Sequence, residues 1–192
     1  MIVFKNVTYG GKNRQLKLNN CSVEIDKRSI LIGNTKSELR EFSNLLAGNV
    51  KIDSGVVTGD LKSLPHPIDV SNPHLLGHLL VDKIVSRISK VNNEQTKLWS
   101  MVPRYERFDQ LSNHQKLIVL VEIARLQEKE FVVLLYPENE LSYKELPLFE
   151  SYLKGIQDIS LLLLTTKEYW NDRLQEYSLL YLNNELFSIE RR

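Results

Sequence analysis

Residues 30–48, ILIGNTKSELREFSNLLAG, set a short apolar run before a glycine and then a helical pattern that ends in Ala47-Gly48. A strand, a glycine turn and a helix in that order bind phosphate when successive backbone N–H groups curl around the anion. A lysine then neutralises charge and a Ser or Thr hydroxyl holds Mg²⁺. Lys36-Ser37 supplies that pair of residue types, yet only Asn34 and Thr35 separate it from Gly33, too short an arc to surround a phosphate. A second polar group, Ser112 to Gln115, opens a helical pattern with Ser112 at the N-cap and Gln115 three residues on, the spacing of a capping box. The carboxylates Glu138 and Glu140 follow an apolar strand beyond Pro137 and read as solvated loop acids.

The elements around these residues are legible as a pattern. Residues 1–25 alternate as two antiparallel strands joined by the turn GGKNRQ. SILIG at 29–33 is a buried strand, and the helix of 36–47 carries Leu39, Phe42, Leu45 and Leu46 on one face with Gly48 as its stop. DSGVVTGD suits a short strand with turns. Residues 75–88 read as a helix weakened at its start by Gly77, in a small helical lobe closed by the irregular VPRYERFDQ. Then come a helix over 112–128, the apolar strand FVVLLYP, a helix within 142–156, the apolar strand ISLLLLTT, a short helix around KEYWNDRLQ and a hairpin turning at Asn183-Asn184. Apolar strands alternating with helices predict a parallel sheet covered on both faces.

Composition narrows the functions. In 192 residues, 25 basic and 24 acidic side chains nearly cancel, and no long single-sign block suggests a nucleic-acid or anionic-membrane surface. Cys21 is the only cysteine, which argues against an internal disulfide or thiolate metal site and for a reducing compartment. No run approaches the length of a membrane span and the start lacks the features of a signal peptide, so a cytoplasmic protein without direct membrane insertion is expected.

Three stretches in order carry a resemblance. LIGNTKSELREFSNLLAG with DSGVVTGD behind it, LSNHQ at 111–115 followed by IAR, and VVLLYPENELS together resemble the nucleotide-binding domain of ATP-binding cassette (ABC) proteins. The resemblance spans nearly the whole chain and implies a P-loop NTPase-like α/β fold, with a parallel sheet flanked by helices, an N-terminal antiparallel β subdomain and a shortened helical lobe. It implies one domain over 1–192, divided into a β region with phosphate-loop-like helix (1–66), the lobe (67–110) and a C-terminal part (111–192).

The same resemblance makes the missing chemistry visible. In the gap-free register only Gly33 keeps its type. The middle glycine becomes Lys36, the next glycine Glu38, the lysine Leu39 and the Mg²⁺-binding hydroxyl Arg40. A Glu38 carboxylate about 4 Å from a phosphate charge is repelled by roughly 4 kcal/mol at an effective dielectric near 20. The Walker B carboxylate and the catalytic glutamate become Leu135 and Tyr136, the γ-phosphate histidine becomes Thr166, the glutamine leading to the lobe becomes His66, and the aspartate of the following loop becomes Ser142. Tyr9 stands two positions early for an adenine-stacking aromatic and reads better as a core or edge-strand residue. In the signature-like stretch Leu111, Ser112 and Gln115 are kept, while Asn113 and His114 replace glycines. They form either a weakened clamp on a partner's ATP or only a helix cap.

The resemblance implies a pseudo-ATPase with no catalytic residue, bound metal or cofactor of its own, at the inner face of the membrane through partners. Those partners are an active ABC ATPase subunit, or a second copy, and a transmembrane transporter subunit. Trp99, Met101, Tyr105 and Phe108, of types favoured at interface centres, mark the candidate surface, with packing inside the lobe as the alternative. Two other readings remain: a stand-alone regulatory or immunity protein that binds proteins, and an unconventional NTPase using Lys36-Ser37 and an acid such as Glu138.

Overall fold

The computed structural model describes residues 2–9, 16–18, 21–23, 28–59, 66–69, 77–88, 96–135, 141–166, 177–183 and 188–191, some of them, including His66 and Trp99, through the backbone alone. The sequence SILI forms most of β4 (Arg28–Ile32), at the centre of a six-stranded sheet with β6 (His66–Asp69), β7 (Phe131–Leu135), β8 (Ser160–Thr165), β9 (Ser178–Asn183) and β10 (Ser188–Arg191). The order is β10-β9-β4-β8-β7-β6; β4 runs parallel to β8 and β9, β7 to β6 and β8, and only β10 is antiparallel, to β9. Pro67 fits because β6 is the edge strand, where a missing N–H need not break a ladder.

Both faces of this sheet are covered, which is why its strands show no apolar/polar alternation. Successive residues divide between two apolar clusters. Ile30, Ile32, Val132, Leu134, Leu161 and Leu163 join one, with α4 (Asn113–Leu126) and α5 (Glu145–Gly155). Leu31, Val133, Leu135, Leu162 and Leu164 join the other, with α1 (Lys36–Leu46) and β1 (Ile2–Tyr9). The α1 residues predicted to face the core do so: Leu39, Phe42, Leu45 and Leu46 are all buried. The helix ends where expected, with Gly48 at φ 71, a left-handed conformation that glycine adopts without strain. Tyr9 is 1% exposed within the α1-side cluster, the core position favoured from sequence.

The N-terminal antiparallel sheet is built on β1, which pairs with β2 (Leu16–Leu18), β3 (Cys21–Val23) and β5 (Ile52–Gly59). The expected second strand of the hairpin is thus two short strands, and β5 is the longer partner of β1. Gly55, at φ 87, lies so close to the opposite strand that a Cβ there would sit 2.3 Å from the Asn6 carbonyl oxygen.

His66, where the sequence reading divides the β region from the lobe, is the first residue of β6 and pairs with Val132. Two further expectations are corrected. The helix expected over 75–88 is shorter: α2 is Val81–Ile88, and the backbone before it is drawn into bonds with the 104–109 segment, including Val81 N–H to Glu106 C=O and Phe108 N–H to Leu79 C=O. The final hairpin pairs Asn183 with Ser188, so Asn183 belongs to the ladder rather than to the turn, and residues 184–187 lie outside the described residues. The turn at 10–15 and the helix expected around 167–175 lie outside the described residues.

Candidate functional site

Only Gly33, Asn34 and Thr35 separate β4 from α1. Gly33 N–H continues the ladder by donating to Thr165 C=O at 3.0 Å. Thr35 then caps the helix, its hydroxyl accepting from Glu38 N–H at 3.2 Å and its carbonyl from Leu39 N–H at 3.1 Å. The N–H groups of Glu38 and Leu39 are therefore already engaged. Lys36 and Ser37, exposed on the first turn, follow no arc of free backbone that could enclose a phosphate. Leu39 is 1% exposed and fills the space against Gly33: a Cβ on Gly33 would lie 2.7 Å from Leu39 Cδ2. Glu38 keeps Oε2 out of solvent with no hydrogen-bond partner among the described residues.

The carboxyl ends of the parallel strands border this turn. Leu31, Leu164, Leu135 and Asp69 form one row across the sheet, and Leu135 is buried in the same apolar cluster as Leu39. Thr166 follows the end of β8, half-buried; Tyr136, Glu138 and Glu140 lie outside the described residues. His66 is a correction. It shares a row with Val132, Leu161 and Arg28 at the opposite end of the sheet, about 10 Å away at roughly 3.3 Å per residue. The residue that β6 brings to the carboxyl end is Asp69. Its carboxylate accepts from Arg40 Nε at 2.8 Å, so Arg40 ties α1 to the edge strand.

The signature-like stretch is organised by the start of α4. Ser112 is the N-cap, and its N–H donates to Gln115 Oε1 at 3.1 Å. His114 Nδ1 lies 2.9 Å from Ser112 Oγ and 3.1 Å from Glu145 Oε1, while Glu145 Oε2 accepts Ser142 N–H at 2.8 Å. An ionised carboxylate only accepts, so Nδ1 carries the proton and the serine oxygen meets that same N–H. His114 cannot then take a proton from Ser112, which excludes a Ser-His-Glu nucleophile. Burial pushes the Glu145 carboxyl up, but hydrogen bonds from Ser142 and His114 outweigh it and lower its pKa from 4.5 to about 2.

Behind this corner α4 and α5 are braced together. Tyr152 OH donates to Glu122 Oε1 at 2.7 Å, and Arg125 bridges Glu122 and Asp158 at 2.8 and 2.6 Å. Leu111 is buried and Asn113 half-buried. Sequence reasoning missed Asp69 and Glu145. Ser142-x-x-Glu145 carried a capping signal for the second; nothing local pointed to the first.

Of the four candidate partner-binding residues, Phe108 packs inside the lobe: it is fully buried, in the cluster with Val81, Val85 and Leu117. Met101, the last residue of α3 (Thr96–Met101), packs partly buried against the same cluster, and the Trp99 side chain lies outside the description. Tyr105 is 73% exposed, with the Arg104 guanidinium 5.5 Å from its ring centre, and Leu80 is exposed. Among the described residues no group of three or more His, Cys, Asp or Glu could hold a metal ion, and no helix is long and apolar enough to cross a membrane.

No protein-family model matches the chain, and no curated protein does. Solved structures match it closely in shape. An ATP-binding cassette of an ABC transporter is similar at TM-score 0.74 and 14% identity, over 98% of this chain and 89% of that one. The dimeric structure of a bacterial ABC transporter cassette gives 0.68 and 15%, over 100% and 97%. An ATP-binding subunit of an ABC transporter gives 0.70 and 14%, over 100% and 89%. At such identities the likeness speaks for the fold. With its parallel sheet between helices and its antiparallel β subdomain, the chain has the fold of the ATP-binding cassettes of ABC transporters.

Proposed function

We propose that this chain is a non-catalytic ABC-type subunit, which keeps the cassette fold to bind other proteins and neither holds Mg-ATP tightly nor hydrolyses it. The observation that carries this reading is the connection from β4 to α1: three residues, capped by Thr35 and filled by Leu39. Leu135 in an apolar cluster, where the resemblance asks for a Mg²⁺-binding carboxylate, supports it. The partner is a competent ABC domain, a transmembrane transporter subunit, or both, and the chain works at the cytoplasmic face of a membrane. A solved cassette of this fold is dimeric, and Tyr105 with Leu80 supplies an exposed apolar feature on the lobe for docking.

Isothermal calorimetry with ATP and Mg²⁺ tests the first half. No saturable heat is expected. A dissociation constant tighter than about 0.1 mM, roughly 5.5 kcal/mol of binding, overturns the reading. Co-purification from the native source tests the second half, with a second ABC domain or a membrane subunit as the expected partner.

A further inference from the structure

We propose that His114 makes the start of α4 an internal latch, in which a carboxylate of this chain takes the place that a phosphate from outside would occupy. This goes beyond the function proposed above, which rests on the β4–α1 connection and leaves the role of α4 open.

The first turn of a helix presents N–H groups and the positive end of its dipole, and so favours a negative charge nearby. Here the chain supplies that charge. Glu145 Oε1 is held at 3.1 Å by His114 Nδ1, and the same nitrogen lies 2.9 Å from Ser112 Oγ. The other carboxylate oxygen is held by Ser142 N–H at 2.8 Å, and Ser112 N–H is taken by Gln115. The His114 and Glu145 side chains are only 12% and 19% exposed, so solvent screens the pair little. Ser112 Oγ and His114 Nδ1 are thus engaged from within, and a fixed negative charge stands close to the α4 start. A second anion at this corner is disfavoured on the order of tenfold or more in affinity. The latch also ties the α4 start to residues 142–145.

The test is site-resolved NMR of the ¹⁵N-labelled full chain titrated with inorganic triphosphate. In the wild type, the amides of Asn113, His114 and Gln115 stay unshifted up to about 1 mM. Glu145→Gln removes the charge and keeps the size and an acceptor oxygen for Ser142. It is expected to bring saturable shifts at those amides with at least about tenfold higher affinity. Glu145→Ala, which removes the same charge by truncation, is expected to give the same gain and serves independently should the first variant fold poorly. Saturable shifts at residues 113–115 in the wild type, or no gain in the folded variants, overturn the latch. Shifts confined to residues 33–38 count against the non-nucleotide reading of the β4–α1 connection and leave the latch standing.

Discussion

Replacing Leu39 by lysine restores the residue type that a phosphate loop needs at this position, and so sets a packed helix against a vacant nucleotide site. Leu39 is 1% exposed, belongs to the cluster of Phe42, Leu135 and Leu164, and touches the bare Cα of Gly33. Losing its burial costs about 1.5–3 kcal/mol. Bringing an ammonium into that cluster adds a penalty of several kcal/mol, reduced where the four-carbon stem carries the charge towards solvent. The sum is a loss of about 3–5 kcal/mol out of a total stability of about 5–15. That corresponds to a fall in Tm of roughly 6–20 °C for a domain of this size. Urea denaturation followed by circular dichroism measures it, with Leu39→Met as a control expected to cost less than about 1.5 kcal/mol. A Leu39→Lys chain that loses under about 1 kcal/mol and gains Mg-ATP binding by calorimetry would refute the packing argument.

Acid should weaken the Glu145 corner. Its carboxyl titrates at about 2 in the folded chain against 4.5 for the free group, so the unfolded chain takes up the proton first as pH falls. The stabilisation is whole above about pH 4.5 and drains away towards pH 2; after solvent screening it is worth about 1–2 kcal/mol, and Glu145→Gln should flatten that part of the urea-midpoint profile. Phe108→Ala is expected to cost about 3–5 kcal/mol in thermal unfolding, whereas Tyr105→Ala, at a 73% exposed site, stays within about 0.5. Gly55→Ala forces a Cβ against the Asn6 carbonyl at a φ of 87 and should destabilise by about 1–3 kcal/mol, while Gly77→Ala, whose nearest obstacle is Asp109 Cβ at 3.9 Å, should be tolerated by the same assay.

The parts of the fold that were legible in the sequence are those in which a residue's neighbours along the chain decide its environment. Phe131 to Leu135 and Leu161 to Leu164 are apolar at every position because they face helices or strands on both sides. The burial of Leu39, Phe42, Leu45 and Leu46 on one side of α1 follows from their spacing. What stayed hidden depends on pairing across the chain. The resemblance matches His66 to the glutamine leading to the lobe, and only the register with Val132 puts it at the far end of the sheet. Arg40 with Asp69, and His114 with Glu145, meet through tertiary packing that no local spacing encodes. Phe108 and Tyr105 are alike in type and three residues apart, yet one is covered by α2 and α4 and the other stands in solvent. Composition names the pair and cannot divide it.

The division of the core by the sheet also decides which substitutions feel one another. Along β8, Leu161 and Leu163 belong to the α4 side, while Leu162 and Leu164 belong to the α1 side. Neighbours in sequence therefore sit in separate packing environments, and truncating Leu161 and Leu162 together disturbs two different sets of contacts. Leu162 and Phe42, far apart in the chain, share one set, so damage at either changes what the other is worth. Energetic coupling in this domain runs through the layers, across the grain of the chain, and a change on the α1 face can be absorbed there while the helices that carry the His114–Glu145 corner keep their packing.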